Sequence, residues 1–189
     1  FGTKDYQKAI SQSKLLGHRG PDESDHVILE HLPSGGILCH ERLSIIDLET
    51  GKQPIQGTHD NTWMIHNGEI YNHKQLRETL SMGQVARTKS DSEIIVHLFE
   101  ELGTSSINHL DGVFSFVIST EDKIFAGRDP MGVKPLFYGT ASDGSLWFAS
   151  EIKCLVSVCE DIKTFPPGHY YHSEEGFVQY YNPEFYSEK

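Results

Sequence analysis

Ser90-Asp91-Ser92-Glu93-Ile94-Ile95-Val96-His97-Leu98-Phe99 and, a short polar interval later, Val113-Phe114-Ser115-Phe116-Val117-Ile118 decide the fold class between them. In the first stretch, continued to Leu102, Ile94, Ile95, Leu98, Phe99 and Leu102 recur at helical spacing and form one apolar face. Ser90 and Glu93 have the spacing of a capping box. The Ser90 hydroxyl can accept the amide three residues on, while Glu93 reaches back to the Ser90 amide. Gly103 is placed to end the helix. The second stretch is β-branched and aromatic, and strands follow it at Lys123 to Gly127, Leu136 to Thr140 and Leu146 to Ala149, separated by Asp, Gly and Pro.

Working outward, Lys4 to Leu16 carries a helical stripe at Tyr6, Ala9, Ile10, Ser13 and Leu16, with Gly17 as its stop. Gly35-Gly36 turns the chain into a strand from Ile37 to Ile46. Another runs from Asn61 to Tyr71, with Trp63, Ile65 and Asn67 alternating against Met64 and His66. His169 to Tyr181 is expected to form a final hairpin around Glu174-Glu175-Gly176. Two helical pieces among many strands predict a layered α+β domain.

The chain has 189 residues, enough for one domain with a buried core, and no repeat or linker divides it. A hydrophobic fraction of 37% excludes disordered, collagenous and coiled-coil classes. No run of 18 apolar residues predicts a membrane span. Asp and Glu outnumber Lys and Arg by 27 to 16, and a net charge of −11 repels phosphate backbones, so nucleic acid is not expected as a partner. Cys39, Cys154 and Cys159 are too few and too oddly spaced for a disulfide framework, and no glycosylation sequon or signal peptide is found. The compartment expected is reducing and cytoplasmic.

Several features carry less than they promise. His169 and His172 approach ligand spacing, but three residues along a strand point to opposite faces, so no metal is expected. Cys154 and Cys159 lack Cys-x-x-Cys spacing and are read as inert. Ser34-Gly35-Gly36 lacks the Lys-Ser/Thr of a phosphate loop and is read as a hairpin turn, with no nucleotide site in this chain.

Three polar clusters lie at the ends of apolar runs: His40-Glu41-Arg42-Leu43-Ser44-Ile45-Ile46, Asn67-Gly68-Glu69-Ile70-Tyr71-Asn72 and Ser90-Asp91. Each has an ordinary alternative, as surface charge, hairpin turn or helix-dipole partner. Together they supply an Arg fork for a carboxylate, an Asp for an ammonium, and a side-chain amide beside a Gly N–H for a polarised carbonyl. An amino-acid amide requires that set of contacts.

These clusters, with His18-Arg19-Gly20-Pro21-Asp22, Ser90-Asp91-Ser92-Glu93, Leu110-Asp111-Gly112-Val113-Phe114, Gly127 to Leu136, Ala149 to Leu155 and Phe165-Pro166-Pro167-Gly168-His169, resemble the glutaminase domain of glutamine-dependent asparagine synthetases. The motifs fall in family order over nearly the whole chain. The resemblance implies a four-layer αββα sandwich of N-terminal-nucleophile hydrolase type, with mostly antiparallel sheets. It implies that residues 1–189 form one glutaminase domain lacking its first few residues, with an ATP-dependent synthetase domain after Lys189. It implies that Arg42, aided by backbone groups of Leu43 and Ile45, clamps the glutamine α-carboxylate. Asp91, with Gly68 or Glu69, holds the α-ammonium; Asn67 and Gly68 form the oxyanion hole. The family's nucleophile is an N-terminal Cys, expected upstream of Phe1, so this chain as given is expected to bind glutamine without hydrolysing it. No cofactor is expected in this domain; ATP, Mg2+ and aspartate are implied for the synthetase domain. Oligomeric state is not legible, and a homo-oligomer stays open.

Two alternatives share part of the pattern. One is another amidotransferase of the same fold, making glucosamine 6-phosphate or phosphoribosylamine. The other is a non-catalytic module of the β-lactam-synthetase kind. Ser44-Ile45-Ile46-Asp47 followed by Gly51-x-Gln53-Pro54, and Phe165-Pro166-Pro167-Gly168, favour the asparagine synthetase type; intact Arg42, Asn67-Gly68 and Asp91 favour a working site.

Overall fold

Strand β5 (Gly112–Ser119) is the spine of a computed structural model that describes residues 1–43, 51–81 and 87–183. On one side it pairs with β4 (Trp63–Ile70), which pairs with the two-residue β3 (Ile55–Gln56). On the other it pairs with β6 (Ile124–Arg128), followed by β10 (His169–His172) and β11 (Gly176–Gln179). Every pairing in this six-stranded sheet is antiparallel. The remaining strands make two smaller antiparallel pieces: β1 (Glu23–Ile28) with β2 (Ile37–Arg42), and β7 (Phe137–Thr140) between β8 (Leu146–Ala149) and β9 (Asp161–Thr164).

Alternation along the strands sorts the core into two layers. Phe114, Phe116 and Ile118 of β5, with Met64, Ile70 and Phe125, pack beneath helices α2 (His73–Thr79) and α3 (Glu93–Leu102). Val117 and Ala126, from the opposite face, meet Leu29, Leu38, Leu136 and Phe165 of the second layer. Helix α1 (Tyr6–Ser13) lies beyond β2, on the face that carries Glu41, whose carboxylate accepts the Ser13 hydroxyl at 2.8 Å. The order is helix, sheet, divided sheet, helix, which is the expected αββα sandwich.

The predicted elements are present, with instructive differences. α1 ends at Ser13 and tightens into a 3₁₀ turn through Leu16, closed by the Gly17 N–H on Lys14 O. The strand expected to reach Ile46 is seen as far as Arg42, and residues 44–50 lie outside the described ones. Ser34-Gly35-Gly36 lies in the connection of the β1–β2 hairpin. Asn67-Gly68 is not a turn at all but strand interior, opposite Ser115 and Phe114.

The capping box does not form. Ser90 Oγ takes the Ser92 N–H instead, at 3.3 Å, and Glu93 turns to the Arg87 and Thr88 amides at 2.8 and 2.9 Å. Tertiary donors outcompete the local one because α3 is buried around most of its circumference, Glu93 and His97 included.

Candidate active site

A cleft of about 510 Å³ opens between the two sheet layers where β2, β4 and the approach to α3 converge. Arg42, Leu43, Asn67, Gly68, Glu69 and Asp91 all line it, so every predicted site residue among the described ones shares one cavity. Ile45 lies outside the described residues. The volume falls within the range of small-molecule sites.

Two donors are presented by β4. The Asn67 side chain points to the sheet-sandwich face by strand alternation, and its Nδ2 is buried without a hydrogen-bond partner. An unpaired buried donor is costly, and this one borders a cleft large enough for a small molecule to satisfy it. The second donor follows from the ladder. In an antiparallel pair successive N–H groups point alternately to the two edges. The Tyr71 N–H, at the end of β4, goes to Asp111 O at 2.7 Å, whereas the His66 and Ile70 N–H groups go the other way, to Gln53 Oε1 at 2.6 Å and Asp91 Oδ2 at 2.8 Å. Gly68 lies between them, so its N–H faces the same edge, and among the described residues no side chain or loop accepts it.

Only glycine fits there. Gly68 has φ +155°, and a Cβ would stand 2.1 Å from Val113 O and 2.8 Å from His66 Nε2.

Charge completes the site. Asp91 is buried and spends Oδ2 on the Ile70 N–H. Arg42, also buried, has Nη1 3.2 Å from Glu23 Oε2, and Lys52 holds the other Glu23 oxygen at 2.6 Å. The hydrogen bond from Lys52 is the largest cause holding the Glu23 carboxyl below its ordinary range. His66, behind Gly68, lies 2.8 Å from Ser92 Oγ through Nδ1, and burial pushes its pKa down to about 4. Lys134 also lines the cleft, its backbone N–H fixed on Asp129 Oδ2 at 3.0 Å.

The three thiols are free. Cys39 and Cys154 reach the cleft wall, but burial pushes them up to about 12 and about 11, and burial raises Cys159 as well. None is a thiolate near neutral pH. Among the described residues no group of three His, Cys, Asp or Glu side chains could hold a metal ion.

A family model described as a glutamine amidotransferase domain matches residues 1–166. The chain belongs to the glutamine amidotransferase family. This amidotransferase domain is 48% identical over 185 residues to asparagine synthetase [glutamine-hydrolyzing] 2 of Arabidopsis thaliana, covering 96% of this chain and 31% of that protein. It is 45% identical to a probable asparagine synthetase [glutamine-hydrolyzing] of Schizosaccharomyces pombe, covering 96% and 33%. The domain thus spans about a third of the length of the relatives it matches. Among solved structures it resembles the glutamine phosphoribosylpyrophosphate amidotransferase of B. subtilis, with TM-score 0.71 and 24% identity over 90% of this chain and 46% of that one. The fold the two share is an α+β sandwich. No helix of the described residues is long and apolar enough to cross a membrane.

Sequence reading missed two parts of the domain. Glu23 was not paired with Arg42, although β1 and β2 place them opposite each other. The buried charges of α3 were also overlooked. His97 lies 3.5 Å from Glu100 and 3.4 Å from Glu93; those carboxylates push it up to about 9, and hydrogen bonds hold both at about 2 against their burial. Their i, i+4 and i+3 spacing was the available signal.

Proposed function

We propose that this domain hydrolyses the side-chain amide of glutamine and passes the ammonia to a synthetase domain that converts aspartate to asparagine with ATP and magnesium. One observation carries the reading: the unpaired Asn67 amide and the open Gly68 N–H stand side by side in a cleft that also holds Arg42 and Asp91. In this reading the glutamine carboxylate takes the Arg42 fork, with backbone groups of Leu43 and Ile45 assisting. The ammonium takes the remaining Asp91 oxygen, with Glu69 nearby, and the amide oxygen lies between the Asn67 and Gly68 donors.

The nucleophile in this reading is a cysteine upstream of Phe1, a residue that itself lines the cleft. Its sulfur bonds to the amide carbon, the oxygen becomes an oxyanion held by the two donors, and the C–N bond breaks as the departing nitrogen takes the thiol proton and leaves as ammonia. Water then cleaves the thioester, releasing glutamate and restoring the thiol. Three unpaired cysteines support a reducing, cytoplasmic compartment.

The test is release of labelled ammonia from amide-15N glutamine by the full-length protein. Equimolar glutamate and ammonia are expected, together with a covalent adduct on the upstream cysteine when a glutamine-like electrophile is supplied. A full-length protein that makes asparagine from free ammonia while leaving glutamine intact would sink the proposal.

A further inference from the structure

Among the described residues, the edge of β4 facing the cleft has no neighbouring strand for most of its length. β3 covers only Trp63 and Met64, because it is two residues long. Beyond it the edge donors would stand open. Two of them are nevertheless satisfied, both by side chains. At His66 the Gln53 carboxamide behaves as a one-residue strand: its Oε1 accepts the His66 N–H at 2.6 Å and its Nε2 donates to His66 O at 3.0 Å. At Ile70 the Asp91 carboxylate accepts the N–H at 2.8 Å. Gly68 is the position between.

Edge donors two residues apart in a strand are separated by roughly 6.8 Å, so the two side chains are about 14 Å apart along the edge. The interval holds one N–H and has room for one small planar group. An amide carbonyl is such a group. Gln53 uses both halves of its amide on the backbone of a single residue, and it also lines the cleft.

We infer that Gln53 is a positioning residue for the oxyanion hole: it replaces the missing strand at His66, and thereby aims the next edge donor, the Gly68 N–H, at the substrate carbonyl. The inference rests on the glutaminase reading for its function but not for its geometry. Gln53 touches no reacting atom. It fixes the residue before Asn67, so both donors of the hole depend on it. A carboxylate in its place keeps the acceptor but loses the donor. A thioether keeps the length and loses both.

The full-length protein carrying Gln53→Met tests this, with Gln53→Glu as the milder variant. Glutamine turnover is expected to lose about tenfold or more in kcat for Gln53→Met, with KM moving less than twofold and Gln53→Glu falling between. Combined with Asn67→Ala, Gln53→Met should cost far less than the product of the two single effects, because both act through one hole. Amide hydrogen exchange gives a reading independent of turnover: the His66 amide should lose protection in Gln53→Met while the Ile70 amide, held by Asp91, keeps its own. If the parent protein does not hydrolyse glutamine, the functional reading fails and the exchange arm still judges the geometry. Unchanged kcat in both variants overturns the inference. So does a fully multiplicative double variant, or loss of Ile70 protection alongside His66.

Discussion

His66 Nδ1 and Ser92 Oγ, 2.8 Å apart and both buried, join β4 to the residue that caps α3, directly behind the cleft. That ring and His97 are buried histidines with opposite acid–base behaviour. Burial lowers His66 to about 4, whereas Glu100 and Glu93 raise His97 to about 9.

The two shifts predict a stability profile with a maximum near pH 6.5, the ordinary histidine value. The unfolded chain binds a proton at residue 66 before the folded one does, so stability falls as pH drops from about 6.5 toward 4. The glutamates, held at about 2, add a further loss below their ordinary 4.5. For His97 the sign reverses: its contribution is complete below about 6.5 and disappears as pH rises through 9. Chemical denaturation at pH 4.5, 6.5 and 8.5 checks this, the last kept below the ordinary thiol value because the raised Cys39 and Cys154 add their own loss at higher pH. His97→Gln should abolish the alkaline limb and leave the loss between pH 6.5 and 4.5. An alkaline limb that persists in that variant contradicts the assignment.

Asn67→Ala should lower kcat for glutamine roughly 10²–10³-fold, the usual cost of one oxyanion donor, while KM stays within a few-fold. Steady-state ammonia release by the full-length protein measures both. A variant that loses affinity and keeps its rate would place Asn67 on the ground-state substrate instead.

Gly68→Ala should damage folding before catalysis. The added methyl meets the Val113 carbonyl, which is strand backbone and cannot swing aside, in a backbone region that L side chains rarely adopt. A loss of at least ~2 kcal/mol is expected, visible as a lower thermal midpoint and a reduced soluble yield. An unchanged midpoint would show that β4 can relax.

Arg42→Met should raise KM for glutamine about 10²-fold with a smaller effect on kcat, since the fork serves a carboxylate that does not react. Glu23→Gln should have a milder effect of the same kind, because the Glu23 carboxylate holds Arg42 Nη1 at 3.2 Å. Isothermal binding of glutamate provides the check in the absence of turnover.

Cys39 and Cys154, held at about 12 and about 11, should resist alkylation at pH 8 in the native protein and react once it is denatured. Mass spectrometry after iodoacetamide pulses distinguishes the sites. Rapid native labelling of Cys39 would expose a thiolate in the cleft and reopen the choice of nucleophile.

The strands and helices were legible because their apolar spacing agrees with their surroundings. Met64, Phe116 and Phe125 alternate with neighbours on the other face, as a two-sided sheet requires. Arg42, Asn67 and Asp91 were legible only as a set, because each alone has an ordinary alternative and together they match the charges and donors an amino-acid amide needs. The failures are tertiary. Ser90 and Glu93 have capping-box spacing, but amides brought in by residues 87 and 88 reach Glu93 first. Gln53 was visible only as part of a Gly51-x-Gln53-Pro54 signature, since its partner is defined by where β3 stops. Glu23 needed a register that no local pattern contains.

The alternation of β4 divides the labour between adjacent residues. All four of residues 66–69 border the cleft, but the His66 ring is held against Ser92 and any Gly68 side chain would meet strand backbone, whereas the Asn67 and Glu69 side chains lie on the opposite face of the strand. In a saturation library of the full-length protein, selection should therefore split with a period of two. Substitutions at 66 and 68 would deplete protein from the cell, and those at 67 and 69 would leave a normal amount of protein unable to use glutamine. One strand would carry two separable selective pressures, with growth rescued by added ammonia for the odd positions and for neither of the even ones.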